Sequence, residues 1–430
     1  MKKIQLLSSV LAALLPTVSQ ANSLTISGIS SGGFMASQMA VIYSDQFSGV
    51  ATVAGGVFYC AQNTYQQNLK NYGSTAFFAF GVSDDMVQAG THIFSFQNGQ
   101  QTQIPDMSHA MEPLPSNPTY QAVGVCMGHP EKILSSSQQN DGSFGPMNLD
   151  YVKMMESHHL ISPVKNITQQ KILIYQGDQD SVVRPAMAGK LQEFYSRMGV
   201  PSSSIKMVKV QGGAHNFPTD RDDGIACDSQ DVPYVSSCKR DLAGDILKHL
   251  LGRNLNRTKN NLAHLYRVQQ VAAPKSVASY GYLYANDFCL NNPGQCDLHV
   301  ALHGCEMADA FDNNFEKLYE SKIQMTKILQ VSDYEMNART PRMGAQIFAQ
   351  KSGYAEYAED PTNRLMVYFP QTQITSDNYP GNPKGCWDWY GWTNAMYATN
   401  QGPEPMWMIK QIRKVRQNPK ALILQNNEDN

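Results

Sequence analysis

Apolar residues along this chain gather in short, nearly unbroken runs, the spelling of strands buried on both faces of a parallel sheet. Residues 49–56 (GVATVAGG) and 76–81 (AFFAFG) are two such runs, each closed by glycine. Residues 171–175 (KILIY), 205–210 (IKMVKV), 297–302 (DLHVAL) and 365–370 (LMVYFP) add further strand signals. A short strand at 24–27 leads into helical spacing over 34–41, and a second helix is predicted from about 185 to 197. Strands alternating with helices predict an α/β fold. Between about 97 and 150 the pattern dissolves into Pro, Gln, Asn and Ser, as expected of a long polar insertion on the surface. No internal repeat or low-complexity linker divides the rest, so residues 22–430 are expected to form one large domain.

The amino terminus stands apart. Met1-Lys2-Lys3 is basic, residues 4–15 are largely apolar, and Val18-Ser19-Gln20-Ala21 places small residues where a signal peptidase reads them. A signal peptide spanning 1–21 is expected, cleaved near Ala21, with export to the periplasm or beyond the cell. The apolar run is too short for a membrane span, and no other stretch approaches the roughly 20 residues required. Composition narrows the partners. Charged residues make up 16% of the chain, and the formal net charge of -2 offers no basic stripe to nucleic acid. The chain is expected to act as a monomer, without nucleic-acid partners or a membrane span.

Cysteine usage agrees with export. Eight cysteines, an even number, read as up to four disulfides. Cys227 with Cys238 and Cys289 with Cys296 enclose short loops rich in turn residues, so local bridges are the simplest pairing there. Cys60, Cys126, Cys305 and Cys386 are left, with spacing unlike any CxxC metal pair. No metal and no organic cofactor is expected.

The chemistry begins at Gly28-Ile29-Ser30-Ser31-Gly32-Gly33, a G-x-S-x-G nucleophile elbow between the first predicted strand and the first predicted helix. Such a turn leaves one serine hydroxyl exposed, and the glycines remove Cβ atoms that would clash. Partners should lie past the carboxyl ends of other strands, where sites assemble in an open α/β sheet. The strand at 171–175 runs into Gly177-Asp178-Gln179-Asp180, and the strand at 205–210 into Gly212-Gly213-Ala214-His215. Asp180 and His215 are the expected acid and base, in the chain order Ser, Asp, His of the α/β-hydrolase fold. Asp178 is the rival acid, with a turn role as its plainer reading. Most of the ten histidines have ordinary readings. His158-His159, for example, lack a carboxylate or third histidine at ligand spacing. Leu302-His303-Gly304-Cys305 looks like an oxyanion-hole turn, yet it follows the histidine instead of preceding the serine.

That order carries a resemblance. In poly(3-hydroxybutyrate) depolymerases and related esterases, blocks of the form VALHGC, YPQ and GCW-[DN]-W come first, followed by the elbow, the Asp and the His. This chain is similar to the same blocks in rotated order: the elbow, Asp180, His215, then Leu302-His303-Gly304-Cys305, Tyr368-Phe369-Pro370-Gln371-Thr372 and Gly385-Cys386-Trp387-Asp388-Trp389. It resembles the circularly permuted extracellular polyhydroxybutyrate depolymerases, from Ser27 to Trp392. The resemblance implies a permuted α/β-hydrolase fold, Ser30 as nucleophile, Asp180 as acid and His215 as base. It implies an oxyanion hole formed by the backbone N–H groups of Ser31 and Cys305. It also implies a Cys305–Cys386 disulfide, which leaves Cys60 with Cys126. The long insertion is a departure that bears on substrate size and access.

The expected activity is serine-esterase hydrolysis of poly(3-hydroxybutyrate), related short-chain polyhydroxyalkanoates or their oligomers. Trp387, Trp389 and Tyr390, with Trp392 nearby, are either a substrate surface suited to methyl and ester groups or packing beneath the oxyanion turn. Alternatives are a general carboxylesterase acting on acylated sugars or aromatic acid esters, and a non-catalytic polymer-binding protein on the same scaffold. No appended polymer-binding domain is visible in the sequence.

Overall fold

Eight strands build the central sheet of the computed structural model. They are β1 (Leu24–Ile29), β2 (Gly49–Val53), β3 (Lys171–Gly177), β4 (Ile205–Val210), β5 (Leu265–Gln269), β6 (Tyr280–Ala285), β7 (Asp297–Leu302) and β8 (Leu365–Phe369). The structure describes residues 22–61, 95–97, 100–103, 122–128, 130, 149–309, 345–375, 382, 384–393 and 396–424. The expected signal peptide, the run at 76–81 and most of the 97–150 insertion lie outside the described residues.

The spatial order of the sheet is β5-β6-β8-β7-β1-β2-β3-β4, with β6 running against its neighbours and the other strands parallel to one another. β1 therefore sits in the middle although it is first in the chain, flanked by the late strand β7 and the early strand β2. Every residue of β1, β2, β7 and β8 is buried, which explains their near-continuous apolar spelling. Strand alternation sends side chains to two cores. Ile26, Val50, Ile174, Val300 and Tyr368 join one, and Ile29, Ala51, Leu173, Ala301 and Val367 join the other.

Helix α1 (Ser31–Ile42) leaves the sheet directly after β1, and all 12 of its residues are buried. A helix apolar on all sides belongs inside a protein, and small residues such as Ala36, Ser37 and Ala40 let this one lie close to the sheet. Helix α2 (Ala186–Arg197) is amphipathic, burying Met187, Leu191 and Phe194. Helix α3 (Leu242–Leu251) starts where the Asp241 side chain accepts from Gly244 N at 2.8 Å, and ends at Gly252 in the left-handed region with φ 68°. Helix α4 (Pro403–Gln417) closes the chain over the first core through Trp407, Met408, Ile412 and Val415.

Disulfides join Cys60 to Cys126, Cys227 to Cys238, Cys289 to Cys296 and Cys305 to Cys386. The second of these closes an excursion after β4 that carries a small sheet of Phe217–Thr219, Ile225–Ala226 and Val235–Ser237.

A buried polar network crosses the centre of the sheet. His299 on β7 meets Thr25 Oγ1 through Nδ1 at 2.8 Å and Ser27 Oγ through Nε2 at 2.7 Å, while Ser27 Oγ also meets Tyr354 Oη at 2.7 Å. Burial pushes the His299 imidazole down to about 3, so it is neutral at ordinary pH. The network ties the strand that carries Ser30 to the strand that leads to Cys305.

Candidate active site

Ser30 occupies the turn between β1 and α1 with φ 56° and ψ -123°, a conformation that costs a residue with a Cβ on the order of 1–3 kcal/mol. Surrounding hydrogen bonds hold it there. Ser30 N donates to Val53 O at 2.9 Å, and Phe34 N donates to Ser30 O at 3.0 Å. The flanking glycines answer to close approach. A Cβ on Gly28 would stand 2.1 Å from Gly32 O, and one on Gly32 would stand 2.3 Å from His303 O. The elbow thus touches both its own helix and the end of β7.

Asp180 and His215 converge from the ends of β3 and β4. His215 Nδ1 lies 2.9 Å from Asp180 Oδ2, with the two residues 4% and 3% exposed. Asp180 has further partners. Its Oδ1 accepts from Val182 N at 2.9 Å and Val183 N at 2.8 Å, and its Oδ2 accepts from Gln176 Nε2 at 3.1 Å. An acceptor-only carboxylate opposite Nδ1 makes that nitrogen the donor and leaves Nε2 with a lone pair. Asp178, the rival acid, instead accepts from Gly212 N at 2.7 Å and braces the turn before His215.

The turn after β7 packs against Ser30, and a Cβ on Gly304 would lie 3.1 Å from Ser30 Cβ. His303 organises it. Thr372 N donates to His303 Nε2 at 3.2 Å, so Nδ1 carries the ring proton and donates it to Gly304 O at 2.7 Å. Burial, which pushes this imidazole down to about 4, keeps it in the neutral form that both bonds require. Gly304 O and Cys305 N–H belong to one planar trans peptide, so pinning the carbonyl turns the N–H the other way. Thr372 Oγ1 donates in turn to Gly385 O at 2.6 Å, one residue before the cysteine bonded to Cys305. Two segments 69 residues apart thus meet at one imidazole, and Thr372 passes the tie on to Gly385.

The Trp-rich loop lies beside this turn. Trp387 N donates to Ser31 Oγ at 3.4 Å, and its fully buried ring lies 5.5 Å from that of His303. Trp389 is 4% exposed and stacks on Phe34 with centroids 3.7 Å apart, while Tyr390 stands edge-on to it and is half-buried. Asp388 shapes the loop. Its Oδ1 accepts from Gly391 N at 2.7 Å and Trp392 N at 3.1 Å, and its Oδ2 accepts from the Thr393 hydroxyl and from Thr393 N at 3.0 Å. Glu404 Oε2 accepts from Asp388 N at 2.8 Å. Burial raises both carboxyls. The donors around Asp388 favour its ionised form, so Glu404, pushed up to about 8, holds the proton.

Reading the sequence brought Ser30, Ser31, Asp180, His215 and Cys305 into view, but it did not single out His303, Asp388 or Gln176. His303 had a signal, since a histidine beside the glycine of an oxyanion-type turn invites the question of what its ring holds. Among the described residues, no group of three His, Cys, Asp or Glu could hold a metal ion, and no helix is long and apolar enough to cross a membrane.

No family model matches the chain. It is 26% identical over 387 residues to a curated poly(3-hydroxybutyrate) depolymerase of Delftia acidovorans, a match covering 88% of this chain and 57% of that relative. The chain thus spans little more than half the length of that protein. It is 25% identical over 408 residues to a polyhydroxybutyrate depolymerase of Talaromyces funiculosus, covering 92% of this chain and 89% of the relative. Among solved structures, a PHB depolymerase complexed with an R3HB trimer superposes with a TM-score of 0.63 at 24% identity, covering 93% of this chain and 96% of that one. A PHB depolymerase from Penicillium funiculosum gives 0.61 at 24% identity with the same coverage. These likenesses show the α/β-hydrolase fold expected from the sequence.

Proposed function

We propose that this protein, a member of the poly(3-hydroxybutyrate) depolymerase family, is a serine esterase that hydrolyses poly(3-hydroxybutyrate), related short-chain polyhydroxyalkanoates and their oligomers through an acyl-enzyme. One observation carries the reading. Ser30 is held at φ 56° at the end of the central strand, on the sheet edge where a buried His215–Asp180 pair at 2.9 Å is assembled from two other strand ends.

In the proposed mechanism His215 Nε2 takes the Ser30 proton as the hydroxyl attacks an ester carbonyl. Asp180 holds the imidazole in the required tautomer and stabilises the imidazolium. The developing alkoxide is met by Ser31 N–H and Cys305 N–H, each worth on the order of 10²–10³ in rate. His215 then protonates the departing alcohol, and water releases the hydroxyacyl group by the reverse path. Tyr390 and the edge of Trp389 offer the substrate chain an apolar surface, with Trp387 supporting it from beneath.

The chain is read as circularly permuted, because the strand order fits an α/β hydrolase in which the elbow strand precedes the oxyanion strand in sequence. Export is favoured by four disulfides and the leader-like residues 1–21. The decisive experiment assays purified Ser30→Ala and wild type on a short-chain chromogenic ester and on a hydroxybutyrate polymer suspension. Wild type should turn over the ester and clear the suspension, and the variant should do neither while keeping its melting temperature. Turnover by the variant would sink the mechanism. Ester turnover without clearing would move the substrate to smaller acyl esters.

A further inference from the structure

A pair of side chains outside the triad joins the two halves of the site. Tyr234 lies on the disulfide-closed excursion after His215, with its ring edge-on to the imidazole at 6.3 Å and 81°. Its backbone is tied to the same segment, since Phe217 N donates to Tyr234 O at 2.7 Å. The Tyr234 hydroxyl donates to Glu306 Oε2 at 2.6 Å. Glu306 directly follows Cys305 and adopts φ 62°, in the left-handed region that residues with a Cβ avoid.

Glu306 is fixed from its far side as well. Its Oε1 takes Lys384 Nζ at 2.7 Å, and its backbone N donates to Lys384 O at 2.7 Å. Lys384 lies two residues before Cys386, the disulfide partner of Cys305. Tyr234 is therefore anchored to the base, and Glu306 to the turn that carries the oxyanion donor. The hydroxyl–carboxylate bond spans the space between them.

We propose that Tyr234 and Glu306 form a clasp that sets His215 and the Cys305 peptide at a fixed separation, which makes both of them positioning residues for ester hydrolysis. The inference rests on the esterase reading above. Acyl transfer needs the general base and the oxyanion donor on opposite sides of one carbonyl, and a displacement of about 1 Å between such groups can cost on the order of 10²-fold in rate. The two groups are also joined through the sheet and the elbow. The clasp adds a direct connection at the open edge, where strand ends lead into loops.

The test uses Tyr234→Phe, which keeps the ring beside His215 and removes the hydroxyl, together with Glu306→Ala and the double variant. On a short-chain chromogenic ester, kcat should fall about tenfold in each single variant with KM within about twofold. The double variant should be no worse than the poorer single, because both changes remove the Tyr234–Glu306 bond and the Lys384 pair is already lost in Glu306→Ala. Affinity for a boronic acid that forms a tetrahedral adduct on Ser30 should fall by the same factor as kcat/KM. Additive losses, wild-type kcat in both singles, or boronate affinity that does not follow kcat/KM would each overturn the clasp. Glu306→Ala decides alone if Tyr234→Phe does not fold. Ser30→Ala is run alongside: if it keeps turnover the esterase reading fails first, whereas an inactive Ser30→Ala beside normal clasp variants removes only this inference.

Discussion

The two limbs of the site are positioned by different kinds of tie. The acid–base limb is the more local: Asp180 and His215 are 35 residues apart just past the ends of adjacent parallel strands, Val182 and Val183 hold the Asp180 turn from two and three residues away, and Asp178 ties it to Gly212 across 34 residues. The oxyanion limb is assembled from a distance. Its disulfide spans 81 residues, and the His303 contact to Thr372 spans 69. The first limb should therefore yield to single polar substitutions, and the second to changes in redox state and pH.

The largest effect should come from the local limb. Asp180→Asn keeps the side-chain shape but permits the wrong imidazole tautomer, so kcat should fall by about 10⁴ with KM for a small ester little changed. Steady-state kinetics at pH 7 checks this, and a loss below tenfold would show that Asp180 does not orient His215. Cys386→Ser tests the other limb. Freeing the turn should lower kcat on the order of 10²-fold and global stability by roughly 2–4 kcal/mol. Urea titration and initial rates on the same preparation separate the two losses, and intact kcat would mean that His303 alone suffices to hold the turn.

Titration offers a gentler probe. His299 and His303 are neutral in the fold, held down to about 3 and about 4 by burial. Their contribution is complete above the ordinary histidine value of about 6.5, and it is lost as the pH falls toward those lowered values. Glu404 works in the opposite sense. Its raised carboxyl, at about 8, favours the fold below roughly 4.5, and that contribution is lost as the pH rises through 8. The urea midpoint of wild type should therefore drop between pH 6.5 and pH 4. Glu404→Gln should gain stability relative to wild type between pH 5 and pH 8, and a constant difference across that range would place the proton elsewhere. The smallest effect is expected at Asp178. Asp178→Ala loses only the turn hydrogen bond from Gly212 N, so stability should fall by about 0.5–1.5 kcal/mol with kcat nearly unchanged.

The same division explains what could be read from the sequence. The elbow, Asp180 and His215 were legible because each closes a strand whose apolar run is visible within a few residues. The strand predicted at 24–27 extends through Ile29, and the helix predicted at 34–41 begins at Ser31, so the serine turn is tighter than periodicity suggested. β5 and β6 escaped notice: Leu265–Gln269 is an edge strand with mixed burial, and Tyr280–Ala285 carries its strand signal in tyrosines around a glycine. The small sheet around Phe217 is too short to show a period. Helix α4 was also missed, since Pro405 and its lysines and arginines mask an apolar face of Trp407, Ile412 and Val415. Cys305–Cys386 matches the pairing implied by family resemblance, whereas the bond from His303 to Thr372 depends on two strand ends becoming neighbours in space.

Helix α1 bears on how this fold can diversify. With all 12 residues buried, it has no side on which a substitution leaves the core untouched. Drift and laboratory evolution alike should find 31–42 nearly immutable. New acyl or alcohol preferences would have to enter through the excursion that carries Tyr234 and through the loop from Trp387 to Thr393. A library confined to those two segments samples the adaptable part of the molecule, and one spread evenly over the chain spends many of its members on variants that do not fold.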